Sequence, residues 1–546
     1  MFEGIDIDGI DNPELKKLVV VLLNTIEQLH ERLDLVTEEV QQLRDENARL
    51  KGGNSKPRFP SSKTRQNHSS EQERSEPKGW HKKGKQDQLT VSRTEPIEIP
   101  ASELPSDAQP KGWEEYYVQE LHLVMEVICY KRAKYYSAST KKSYLAPLPP
   151  GCHGHFGPML GALALDLAYA CNMSQAGVHT LFSDAGVLIS AGQVNNLLVN
   201  GQEALHANSH EVTIAGLASS VWQHTDHTPT RVNGRNQNCQ VLCNPLYSAF
   251  RTAPSKDRLT ILRTLLAGSP FTYLCDSAAL TYLQNYRMGK RLCRRIEDLF
   301  PEQCPLSEEQ FSQRLETMAD LGPRQRKIVR EALAISGYRV QTDVPVIKML
   351  LCDDAPQFNF VTEELGLCWV HDARNYKKLN PVVCHNRTVL NDFMAQYWKL
   401  YRALNAYRGA PTPEEAKRLE AEFDALFSTV TDYQALNDRI ARTRANKEQL
   451  LQVLSHPEIL LHNNPAELAA RRRVRKRDVS FGPRSDLGLQ AWDTYMTLSE
   501  TARKLGVSFL RYLQNELSEK CGRTSLADMI RQRATLLNLD ASWDTG

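Results

Sequence analysis

The sequence predicts an α/β multidomain protein: a mixed catalytic-type core with helical insertions, preceded by a coiled coil and a helical domain. Three observations predict it. A heptad repeat runs through residues 13–51. Short apolar runs bounded by turn residues, the mark of strands, gather near 221–250 and 346–370. Charged stretches of helical periodicity, about 255–340 and 396–462, separate and follow them. At 546 residues the chain is too long for one core.

The heptad comes first. Leu22, Ile26, Leu29, Leu33, Val36, Val40, Leu43, Asn47 and Leu50 alternate in steps of four and three. That seam predicts a left-handed coiled coil, with Asn47 at an a position favouring an in-register homodimer or higher oligomer. Gly52-Gly53 ends it. Residues 52–97 are rich in Ser, Lys, Arg, Gln and Pro, which predicts a disordered basic linker. Its cluster Lys78-Gly79-Trp80-His81-Lys82-Lys83-Gly84-Lys85 suits non-specific phosphate contact, or simple solvation. Residues 98–215 read as a helical domain from about 112 onward. Ser183–Ser190 fits the turn of a DNA-binding helix-turn-helix, and a plain helical hairpin fits it equally.

The core is predicted over 216–395. Val221–His224 reads as a strand, Asn233-Gly234 as a tight hairpin turn, and Cys239–Cys243 and Leu246–Phe250 as returning strands. A helical insertion fills about 255–340. The run Val346–Cys352 reads as a strand buried on both faces. Leu365–Val370 is another strand, with a helix from about Ala373. A second helical insertion covers 396–462, a closing helical segment 463–525, and a tail 526–546.

Composition excludes several classes. Formal net charge is +2, so bulk charge does not indicate a polyanionic partner. The 12 cysteines are scattered, many in apolar stretches, which predicts buried thiols rather than a disulfide framework. The apolar runs fall well short of the roughly 20 residues of a membrane span. A cytoplasmic protein without a membrane partner is expected.

Three carboxylates stand out. Asp226 lies between a strand and the Asn-Gly turn, where a turn aspartate is the plain reading. Asp353, with Asp354 as its reserve, closes the buried strand, at the sheet end where ligands bind. Glu467 falls three residues after Asn464 and two after Pro465, spacing that suits a helix cap. Arg471, Arg472, Arg473, Arg475, Lys476 and Arg477 follow it, six cations in seven residues. So dense a run calls for an anion, and DNA phosphate fits. Cys368-x-x-His371 alone is too little for zinc, which needs four ligands in a structural site.

Taken together these segments resemble the transposase of the bacterial insertion-sequence-66 family. The resemblance rests on Asp226-His227-Thr228 with Arg231-Val232-Asn233-Gly234, on Asp353 with Cys368-Trp369-Val370-His371-Asp372-Ala373-Arg374, and on Asn463-Asn464-Pro465-Ala466-Glu467. Leu498–Val507 resembles the closing helix of that family. His227 departs from the usual Glu. The cysteines at 129, 152 and 171 lack the paired spacing of its zinc segment, so no zinc is expected. The 127 residues from Asp226 to Asp353 mark a divergent branch with an inserted piece.

The resemblance implies a ribonuclease-H-like core and a DDE transposase. Asp226, Asp353 and Glu467 would hold two Mg²⁺ ions (Mn²⁺ serving as well) for DNA strand cleavage and strand transfer. The six cations after Glu467, with His371 and Arg374, would contact double-stranded DNA of the transposon ends and target. It implies a cytoplasmic, nucleoid-associated bacterial protein. The alternative is a domesticated, non-catalytic DNA-binding or oligomerisation protein of the same fold.

Overall fold

The computed structural model describes residues 9–50, 90–518 and 524–543, apart from 101–102, 106–107, 110, 122, 151, 153–154, 202 and 302–304. The cluster Lys78–Lys85 and most of the predicted linker lie outside the described residues.

Helix α1 (Pro13–Leu50) spans the heptads. A hairpin of β1 (Lys134–Ser137) and β2 (Lys142–Leu145) follows, then α2–α5 (Pro158–Leu165, Gln175–Asp184, Ala191–Val199, Glu203–Ala218). No helix forms over described residues of 111–133, contrary to the helical expectation there. The described residues of 116–130 are all exposed, so they offer no buried face against which a helix could pack.

The main sheet has the order β5-β4-β3-β6-β7. Its strands are β3 (Trp222–Val232), β4 (Arg235–Cys243), β5 (Ser248–Ala253), β6 (Met349–Cys352) and β7 (Glu364–Leu367). The first three form an antiparallel meander. The β3–β4 turn is Asn233-Gly234, both with positive φ (47° and 75°), as a type I′ hairpin requires. Strands β6 and β7 add in parallel on the other side of β3.

The insertion between β5 and β6 is α6–α10 (Arg258–Leu265, Ser277–Asn285, Lys290–Leu299, Glu308–Glu316, Pro323–Val340). After β7 come α11–α15 (Trp369–Lys377, Cys384–Tyr407, Pro413–Leu426, Gln434–Ala445, Lys447–Leu450) and α16–α19 (Asn464–Ser480, Asp486–Lys504, Phe509–Leu517, Leu526–Leu537). Both sheet faces are covered. Leu242 joins one apolar core with helices α6–α15, and its neighbour Val241 joins a second with α2–α5 and α16–α19. That alternation follows the period-two side-chain geometry of a strand.

The outer edge of β5 is closed by a helix. Asp493, Thr497 and Thr501, spaced by four on α17, accept hydrogen bonds from the N–H groups of Thr252, Phe250 and Ser248. A polar stripe thereby covers an edge that would otherwise template further pairing. Helix α1 docks by its first half. Val19, Val20, Leu23 and Ile26 pack on Val382 and Val383. Among the described residues no helix is long and apolar enough to cross a membrane.

Candidate active site

Asp226 sits within β3, not in a turn after it. The parallel register pairs Trp222 with Met349, Gln223 with Leu350 and His224 with Leu351. Two further steps along both strands bring Asp226 beside Asp353 at the carboxyl end of β6. Asp354 is exposed and accepts from the Asn446 side chain at 3.1 Å, so the reserve candidate is turned to another contact.

Glu467 arrives on the first turn of α16, and Asn463 positions that turn. The Asn463 amide donates to Thr225 O at 2.7 Å, next to Asp226. Its side-chain oxygen meets His224 Nδ1 at 3.0 Å. Its own N–H donates to Cys368 Sγ at 3.2 Å, and Trp369 N–H donates to Leu461 O at 3.0 Å. The start of α16 is thus tied both to β3 and to the Cys-Trp-x-His segment. His224 is fully enclosed, and burial pushes its pKa down to about 3, so it stays neutral.

The cap expected of Glu467 does not form: Asn463 occupies the N-cap position without a side-chain cap bond. Glu467 is held by Arg374 and faced by His371 instead. Arg374 donates to Oε2 at 3.1 Å, and His371 Nδ1 lies 3.5 Å from Oε1. Arg374 also meets His371 Nε2 at 3.0 Å. A guanidinium can only donate, so this contact assigns the ring proton to Nδ1, facing Glu467.

Asp226 shows the electrostatic cost of this gathering. Burial raises its pKa to about 7, against the lowering effect of the His227 N–H bond. The charges of Asp353 and Glu467 raise it further, and Arg374 opposes them. Asp353 Oδ1, Glu467 Oε1 and His371 Nδ1 are buried without a hydrogen-bond partner. Orphaned acceptor oxygens beside a carboxyl whose pKa is raised suit a hard divalent cation with oxygen ligands. Atoms of Cys368, His371 and Glu467 also lie within 4.8 Å of one another. Burial pushes the Cys368 thiol up to about 12, and its sulfur already accepts the Asn463 N–H.

The basic run divides along the helix. Arg473 is fully buried, paired with Asp493 at 3.1 Å and donating to Thr252 Oγ1 at 2.9 Å. Lys476 is buried among Ala168 O, Met173 O and the rings of Tyr169 and Trp492. Arg472 pairs with Glu500 at 2.5 Å, and Arg477 reaches Pro229 O and Asp478. Those four are answered from within the protein, which corrects the expectation that all six meet phosphate. Arg471 and Arg475 are exposed. They follow Glu467 at i+4 and i+8, on one helix face, about 6 and 12 Å along the axis.

Two further cations escaped the sequence reading. Burial lowers His227, and the charge of Lys256 adds to it. Burial likewise lowers His371, with Arg374 and Lys378 adding. Both lysines are exposed beside the acidic pocket. Nothing in their local sequence marked them, because their placement depends on the insertion and on α11. Trp369 of the same motif is structural: it is fully buried and donates its indole N–H to Leu450 O at 2.8 Å.

Residues 346–491, which carry Asp353, the Cys-Trp-x-His-x-Arg segment and Glu467, match the family model described as "Transposase IS66 family". The uncharacterized protein y4jO of Sinorhizobium fredii (strain NBRC 101917 / NGR234) is 32% identical over 307 residues, covering 56% of this chain and 94% of that protein. No solved structure matches the chain. Motif residues that are separated in the sequence and joined in the fold, within the matched segment, place this chain in the IS66 transposase family.

Proposed function

We propose that the protein is a DDE transposase whose sheet is a ribonuclease-H-like core and whose metal ligands are Asp226, Asp353 and Glu467. The observation that carries this reading is the convergence of three carboxylates from distant segments on one pocket. Strand register supplies two of them and the Asn463 bonds supply the third. The sheet order, a three-stranded antiparallel meander extended by two parallel strands, supports the core assignment.

Two Mg²⁺ ions, or Mn²⁺, would be held by the three carboxylates. Bound there, they supply an activated water or 3′-hydroxyl and stabilise the leaving oxygen of an in-line displacement. The remaining work belongs to the chain. Arg374 holds the Glu467 carboxylate in place and balances its charge, and the neutral His371 turns its Nδ1–H toward it. Arg471, Arg475, Lys256 and Lys378 surround the pocket with exposed positive charge, which suits a phosphodiester backbone. The α1 seam, from Leu29 to Leu50, pairs two copies so that two DNA ends are held together.

Glu467→Gln in the full chain is the direct test. Mg²⁺-dependent cleavage and strand transfer should fall by about two orders of magnitude or more, with duplex binding and the far-UV spectrum unchanged. Undiminished transfer would remove the assignment. An unsubstituted protein that binds duplex ends but never cuts them would instead establish the non-catalytic alternative, which the His227 departure allows.

A further inference from the structure

We propose that the β1–β2 hairpin is a basic β-ribbon that contacts the backbone and groove of duplex DNA. The proposal rests on the reading of the protein as a DNA-processing enzyme and adds a contact surface outside the acidic pocket.

Charge is the first observation. Between Glu126 and Asp166 the chain holds no acidic residue, yet it carries Lys131, Arg132, Lys134, Lys141 and Lys142. The helical unit that follows, residues 158–218, has no lysine or arginine at all. Its helix-turn-helix candidate therefore lacks the cations that phosphate contact requires. The positive charge of this part of the molecule is concentrated on the ribbon.

Geometry is the second. The register sets Tyr135 opposite Tyr144 and Ser137 opposite Lys142, and Lys134 opposite Leu145 and Tyr136 opposite Ser143. Tyr135, Ser137, Lys142 and Tyr144 therefore share one face, and Lys134, Tyr136, Ser143 and Leu145 the other. Both faces are open: Tyr135 is 70% exposed, Tyr136 69% and Tyr144 51%. Arg132 closes the base of the hairpin on Ala146 O. The side chains of Lys134, Lys141 and Lys142 have no hydrogen-bond or ion-pair partner among the described residues, and Lys141 stands at the loop with φ +51°.

An isolated two-stranded hairpin is marginal in water, and one whose neighbouring lysines repel is poorer still. A polyanion removes both defects. A two-stranded ribbon fits the major groove, lysines neutralise phosphates, and exposed tyrosines add contact area against bases or sugars. An acidic protein partner would answer the lysines but gives no reason for aromatic rings on both faces.

The test uses the full chain and mixed-sequence duplex DNA titrated at several salt concentrations. Replacing Lys134, Lys141 and Lys142 with Ala together should weaken binding roughly tenfold to a hundredfold near 0.15 M salt. The slope of log K against log [salt] should lose about 2.7. Tyr135→Ala with Tyr144→Ala should weaken binding severalfold and leave the slope unchanged. Thermal melts of both variants should match the parent, because the replaced side chains are exposed. A parent that binds duplex while the triple variant keeps its affinity and slope overturns the ribbon alone. A parent that binds no duplex overturns the DNA-enzyme reading with it. Tighter binding of single strands or RNA than of duplex also overturns the ribbon proposal.

Discussion

Arg471 and Arg473 stand two positions apart on α16 and meet opposite environments. Arg473 is sealed against Asp493, Thr252 and the Trp492 ring. Its replacement by Ala leaves a buried carboxylate unpaired and should cost about 3–5 kcal/mol, read as a fall in the denaturation midpoint. Arg471→Ala with Arg475→Ala should leave that midpoint within about 0.5 kcal/mol and weaken DNA binding. The sequence showed the density of positive charge but not its partition. The facing carboxylates, Asp493 and Glu500, lie 20 and 28 residues downstream of Arg473 and Arg472 on another helix, and local spacing carries no trace of them. Asp226 offers a pH signature. Its pKa is near 3.9 in the unfolded chain and about 7 when folded, so between those values the folded state binds the extra proton. Metal-free stability should then fall as pH rises from about 4 to 7 and level off above, a few kcal/mol at most. Asp226→Asn should melt above the parent at pH 8 in chelator, with the gap closing toward pH 4. Added Mg²⁺ should raise the parent's melting temperature at pH 8 and leave the variant's unchanged.

Among elements, the junction of β3 and α16 governs the site. Asn463→Ala removes the bonds to His224 and Thr225 O in a buried setting, at a cost of about 2–4 kcal/mol. It should also release the first turn of α16 from β3, so strand transfer should fall further than thermal stability alone explains. Melting curves and transfer assays on the same preparation check both. Much of the sheet was legible. The Asn233-Gly234 turn and the apolar run ending at Cys352 carried their signals in local chemistry. β3 proved longer than expected and includes Asp226, because the hairpin continues pairing through polar residues that alternate without apolar character. β7 stops at Leu367 and α11 begins at Trp369, earlier than the composition suggested, since burial of Trp369 outweighs its strand preference. The Asn-Asn-x-x-Glu spacing was visible, but the cap bond that spacing alone suits does not form. The true partners of Asn463 and Glu467 come from 238 and 93 residues away.

For the molecule as a whole, assembly turns on the exposed seam of α1. Leu29, Leu33, Val36, Val40 and Leu43 are all exposed in a single copy. Leu33→Lys with Val36→Lys should halve the solution mass, by sedimentation, without shifting the thermal melt. The heptad was legible because it is a local repeat. Its anchoring was not, and Ile26, counted in the seam, turns toward Val382 and Val383 instead. Glu27 accepts the N–H groups of Val382 and Val383 at 3.1 and 2.8 Å, capping the start of α12 from outside. Tyr397 of α12 in turn donates to Trp369 O at 2.8 Å, at the head of the helix that bears His371 and Arg374. Beyond Glu27 the helix projects about 35 Å. On the proposed pairing through α1, a rod gripped at one end and zipped to its twin along the rest would act as a spacer bar: the length of the unclamped arm would set the distance between two acidic pockets.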